Sequence, residues 1–224
     1  MNIEKVIKKY DIEHYINMLI FKNNAVYGIY HNISHYLDVI CKVDTYCTKE
    51  GFDKSDVKNL IIASVFHDFN YIPSKTIDEN VKVAVEGFIK HSMEDKTTNV
   101  IILYLIANIN YLDKMYGTLP KSYEEGIKLI RAINDIGYYL SADENDIISY
   151  ITKKSQEFNQ TMDIVIESEI KKIEKFDCKF KSIRDDLKSN KPLILPTLDW
   201  LLKLYNEHQK SNTLNFIEGK YEDW

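Results

Sequence analysis

Glycine and proline are scarce, seven and four in 224 residues. An all-β sandwich needs turn residues every 8–12 positions or so, and this chain does not supply them. Cysteine is sparse too. Cys41, Cys47 and Cys178 are odd in number and include no CxxC pair, which excludes a disulfide framework and a cysteine-based zinc site. No apolar run approaches the roughly 18 residues that mark a membrane span. The opening stretch, MNIEKVIKKYDIEHYI, alternates charge with apolar residues and lacks a secretory hydrophobic region. The expected location is cytoplasmic, with no membrane partner. Positive charge is in deficit: 29 Lys and Arg stand against 34 Asp and Glu, for a net charge of -5. No global field draws such a chain to nucleic acid, and only a local basic patch could bind polyanions.

What remains is helix-forming sequence. With 45% hydrophobic residues the chain has ample material for a core, so it is not disordered. Apolar residues recur at helical spacing over Ile3–Phe21, His31–Lys49, Ser55–His67, Ile77–His91, Thr97–Asp113, Tyr123–Leu140 and Glu144–Lys175. The run NVIILYLIANINYL within Thr97–Asp113 predicts a central helix buried on most sides. MYGTLPKSYEEG, with Gly117 and Pro120, reads as the clearest loop, and KPLILPTLDWLLKLYNEHQ as a proline-bracketed turn followed by a helix. There is no internal repeat and no Gly- or Ser-rich linker. The fold expected is a single all-α domain over residues 1–224, with a core of about 27–158 and a helical extension over 159–224.

Two short clusters carry chemistry. In YHNISHYLDV, His31 and His35 are four apart, one turn of a helix, and Asp38 shares their face. Ile33, Leu37 and Ile40 point the other way, so the polar stripe is expected to face solvent or a cleft. In the second cluster His67 and Asp68 follow the apolar run LIIASVF. A carboxylate at the edge of so apolar a helix is costly unless it is paired or bound to a metal. Imidazole and carboxylate together are usual ligands of divalent first-row ions.

A His, an adjacent His-Asp and a distant Asp form the pattern of the HD-domain metal-dependent phosphohydrolases, which this sequence resembles from Tyr27 to Phe158. YHNISHYLDV is also similar to the YHNxxHAxDV signature of cyclic-nucleotide phosphodiesterases. FHDFNYIPSKTIDEN and RAINDIGYYLSADENDIISYITKKSQEF resemble two segments of a bacterial group of predicted HD phosphohydrolases, which aligns Asp135 with that group's second aspartate. The resemblance implies an HD-domain-like helical bundle with His35, His67, Asp68 and Asp135 as metal ligands. It implies one or two divalent ions (Mn, Mg, Fe, Co or Zn), and a small phosphate ester, nucleotide or cyclic nucleotide, as substrate. His31 then matches the phosphodiesterases' general acid, and Asp68 could bridge to a second ion. Asp78 and Glu79 are candidates to orient the attacking water, so the expected catalytic residues are His31, Asp68 and Glu79. The alternative for Asp78 and Glu79 is an acidic first turn favoured by the helix dipole.

The sequence departs from the pattern at Ile133, where the group has an aspartate, and at Ser141, which follows Leu140 in place of glycine. Lys154 replaces an arginine and loses the planar fork that suits phosphate. Tyr71 stands where the phosphodiesterases place a further histidine. Two other functions fit the same residues: a di-iron oxygenase on the same fold, and a noncatalytic module that binds a nucleotide or a partner. The oxygenases recruit extra histidines between the His-Asp pair and the last aspartate, and here that interval offers only His91. Asp143 and Asp146 are the reserve candidates should Asp135 not be a ligand.

Overall fold

In the computed structural model, residues 3–23, 28–110, 118–141 and 143–219 are described, with side chains to residue 209. Among them are ten α-helices and no strand, so the all-α expectation holds. The helices are α1 (Ile3–Tyr10), α2 (Glu13–Lys22), α3 (Ile33–Lys49), α4 (Lys54–Phe66), α5 (Ile77–His91), α6 (Lys96–Ile109), α7 (Lys121–Ile136), α8 (Glu144–Glu157), α9 (Met162–Lys175) and α10 (Lys181–Gly219). A short 3₁₀ turn, Gly137–Leu140, follows α7. Tyr27, Asp113 and Gly117 lie outside the described residues. No described helix is long and apolar enough to cross a membrane.

The chain divides into two compact units. One comprises residues 1–137 and 178–183, the other residues 138–177 and 184–224. The division therefore falls at Gly137, where the sequence suggested a core running to about 158.

In the first unit α4 is the hub, packed by α2, α3, α5, α6 and α7. Leu60 to Phe66 are all fully buried, as expected of a helix apolar on every side. The sequence had given the central position to the segment around α6. That helix instead buries one face, through Ile102, Leu105, Ile106 and Ile109, and exposes Val100 and Tyr104. Gly126 lets α7 approach the hub closely, since a Cβ there would lie 2.6 Å from the Leu60 methyls.

Side-chain caps set four of the helix starts. Asn32 caps α3 by accepting the His35 N–H, and Asp95 caps α6 through the amides of Thr97 and Thr98. Thr76 and Glu79 form a reciprocal capping box on α5, as Asp143 and Asp146 do on α8. Three expectations are corrected. The first two helices are separated at Asp11, and α8 and α9 at Asn159, both residues with positive φ, 52° and 49°. Pro192 and Pro196 do not make a turn but lie inside α10. An interior proline costs about 3 kcal/mol, yet Leu187, Ile194, Leu198 and Leu201 are buried along the same helix and outweigh it.

The second unit encloses an ion cluster. Glu169, fully buried on α9, accepts from Lys154 at 2.6 Å, Lys172 at 2.9 Å and the Tyr139 hydroxyl at 3.0 Å. Burial alone would push its carboxyl up, but the two ammonium groups outweigh that and hold it below its ordinary value.

Candidate metal centre

The α3 entry places two histidines differently from a plain helix reading. His31 precedes the helix, and Asn32 ends the irregular segment by donating its carboxamide to the Ile29 carbonyl at 2.8 Å while capping the His35 amide. His31 and His35 are thus not two turns of one helix face. Nor does His35 face away from the apolar stripe: it is buried beside Tyr36, Val39 and Ile40. Asp38 forms an ion pair with Lys42 one turn along.

The His67–Asn70 turn ends α4 and is clamped from three sides. Tyr36 donates its hydroxyl to the Asp68 carbonyl at 2.6 Å. Asn110, the C-cap of α6, donates to the His67 carbonyl at 2.8 Å and to Asp68 Oδ1 at 3.3 Å. Asn23 accepts the Asn70 amide at 2.7 Å, and Asn70 holds φ at +56°. Phe69 seats against Gly87, where a Cβ would come within 2.5 Å of its ring. None of the three hydrogen-bonded clamps follows from spacing along the chain, because each pairs residues more than thirty positions apart.

These clamps bring His31, His35 and Asp68 together. One ligand atom from each lies within 4.8 Å of the others, the group among the described residues able to hold a metal ion. His31 Nε2 is 3.7 Å from Asp68 Oδ2, and His67 Nε2 is 2.9 Å from the same oxygen. The His67 tautomer is set from behind, since Nδ1 lies 2.7 Å from the Ser64 carbonyl and donates to it. Nε2 faces the carboxylate, and although burial would lower the imidazole pKa, the Asp68 anion outweighs that and holds it above its ordinary value. Neither His67 Nε2 nor His35 Nδ1 has a hydrogen-bond partner, although both are buried.

The spacing suits ligands of a common ion. Two donors each about 2.1 Å from one ion lie about 3.0 Å apart at a right angle and about 3.4 Å apart at the tetrahedral angle. The distances of 2.9 and 3.7 Å bracket that range without an aligned hydrogen bond at His67. Burial, with the nearby His31 and His67 rings, pushes His35 down to about 3, so it is a neutral donor. Burial would raise Asp68, but His67, then His31 and His35, hold it below the usual carboxylate range, so it is anionic. His35 and Asp68 therefore fit a divalent cation in both charge and protonation, and at His67 a cation would take the place of the proton that Asp68 favours.

Several of the other expected site residues have structural roles. Asp135, half-buried near the end of α7, is not a member of the group. Glu79 is exposed and accepts the Thr76 amide at 2.9 Å and hydroxyl at 2.8 Å, which is the capping role weighed against a catalytic one. Asp143 and Asp146 are spent on the α8 cap, and Lys154 on Glu169. His91 closes α5 and its carbonyl meets His14 Nε2 at 3.1 Å. Tyr71 stacks on His31 with ring centroids 4.2 Å apart, and Tyr30 meets the same imidazole edge-on at 4.7 Å. His31 is thereby held on two sides, which the sequence did not foretell. No protein-family model, no curated protein and no solved structure matches the chain.

Proposed function

We propose that this chain is a metal-dependent hydrolase of small phosphate esters, with a nucleotide or cyclic nucleotide as substrate. The observation that carries the reading is the convergence of His31, His35 and His67 on the anionic Asp68, with the buried Nδ1 of His35 lacking a hydrogen-bond partner. In this reading His31 joins His35, His67 and Asp68 as a ligand, and Asp135 does not. A divalent ion bound there would lower the pKa of water and polarise a phosphoryl oxygen.

The chain's own residues do the positioning. The Ser64 carbonyl fixes the His67 tautomer, and Asn110 fixes the Asp68 carboxylate. Tyr71 and Tyr30 hold the His31 ring. Three imidazoles and one carboxylate favour manganese, iron, cobalt or zinc over magnesium, which prefers oxygen ligands. An oxygenase would need a redox-active ion such as iron, which the same donors would also bind, so oxygen uptake is measured beside hydrolysis.

The test is a screen of nucleotides, cyclic nucleotides and p-nitrophenyl phosphates with each of these ions, on the wild type and Asp68→Asn. The expected result is ion-dependent ester hydrolysis, read as inorganic phosphate, p-nitrophenolate or, from a cyclic nucleotide, the nucleoside monophosphate, that Asp68→Asn abolishes. Oxygen consumption without any of these products, or equal hydrolysis by the variant, would contradict the reading.

A further inference from the structure

The second unit holds a feature that the proposed hydrolase chemistry does not use. A cavity of about 380 Å³ is lined by Phe176, Arg184, Asp185, Leu187, Lys188 and Lys191. Arg184, Lys188 and Lys191 stand at i, i+4 and i+7 on α10, which puts three cations along one helix face. Asp185 is the one carboxylate in the lining, so the walls carry two net positive charges in a chain of net charge -5.

These cations differ from the lysines that pair along their own helices. On other helices Lys82, Lys128, Lys171 and Lys172 each meet a glutamate three or four residues away. Lys188 has Asp185 three residues before it but makes no ion pair with it, Arg184 and Lys191 stand at the same spacings, and neither Lys188 nor Lys191 has a hydrogen bond or ion pair among the described residues. Lys191 is also half-buried. A partly desolvated ammonium beside like charges is unfavourable until an anion joins it.

We infer that this groove binds a di- or triphosphate group, alone or as part of a nucleotide. The cations are spread over about 10 Å of helix axis, which suits a linear phosphate chain better than a single phosphate. Phe176 and Leu187 supply an apolar wall on which a base can lie. The volume lies within the usual range for small-ligand sites. The site rests on α10 and the end of α9, and stands whether or not the His-Asp group is catalytic.

Titration calorimetry on the full chain, at low salt with chelator present, tests it with inorganic pyrophosphate and with ATP. The wild type should bind one pyrophosphate per chain, more weakly as salt rises. Lys188→Gln with Lys191→Gln should weaken binding at least tenfold with the helical circular dichroism unchanged, and the paired Lys→Arg variant should restore it. Tighter binding of ATP that Phe176→Ala removes would support a nucleotide, and equal binding of the two probes would support a phosphate chain alone. Asp68→Asn should bind as the wild type does. Binding lost in Asp68→Asn but kept in the double glutamine variant would overturn this site while leaving the proposed hydrolase intact. Saturation only at millimolar pyrophosphate or above would overturn it as well.

Discussion

Asp68 and Glu169 are both carboxylates withdrawn from water, each in a different compact unit, and each is held ionised by different neighbours. Glu169 is met by two ammonium groups and a phenol, and both of its oxygens are used. Asp68 is met by imidazoles, which can be neutral, and the buried Nδ1 of His35 has no hydrogen-bond partner. The cost of burial is alike in kind, but one cluster balances it internally while the other, on the proposed reading, would be completed by a cation. A closed ion cluster is structural; one with a donor atom left over is what the proposed metal site requires.

The largest expected effect sharpens this contrast at the ligands. His31→Ala should lower ion-dependent hydrolysis by about a hundredfold or more, since outer partners alone account for roughly 10–100-fold. Asp135→Asn should leave activity within about twofold, as steady-state rates at limiting metal would show. The opposite ranking would return the fourth ligand to α7.

Next in size is Glu169→Gln, which should cost about 3 kcal/mol in denaturant unfolding by leaving Lys154 and Lys172 without their counter-charge. The pH dependence has a definite sign. A carboxyl whose folded pKa is depressed gives stability that is full above its ordinary value and is lost as pH falls through the folded value. The wild type should therefore lose stability below about pH 4.5, and Glu169→Gln should show a shallower acid slope. An unchanged slope would mean the cluster does not hold Glu169 ionised.

Asn110→Ala should weaken metal affinity about 10–100-fold through loss of its hold on Asp68 and the His67 carbonyl, as metal titrations would show. The smallest effect is expected at Glu79→Ala: a slight fall in melting temperature, with activity and metal content unchanged. A large fall in activity there would restore its catalytic role.

Much of the fold was legible because helix signals are local. The α5 boundaries, Ile77–His91, follow from Pro73 before it, the acidic first turn and the apolar stripe. The breaks at Asp11 and Asn159 were not legible, since Asp and Asn enter the left-handed region without the glycine that marks it. Pro192 and Pro196 misled in the other direction, because propensity cannot register the buried face that sustains α10. At the site, residue type and adjacency identified His35, His67 and Asp68 as a group worth joining. The role of His31 depended on where α3 begins, and Asn32 was readable as a cap that would have put His31 outside the helix. Asn110, Asn23 and Tyr36 reach the turn only through tertiary packing.

The most direct measurement is bound metal per chain in Asp68→Asn and Glu169→Gln, by elemental analysis after reconstitution and desalting. The account predicts that Asp68→Asn keeps its helical content and loses the ion, whereas Glu169→Gln keeps the ion and loses stability. Full metal occupancy in Asp68→Asn would contradict it.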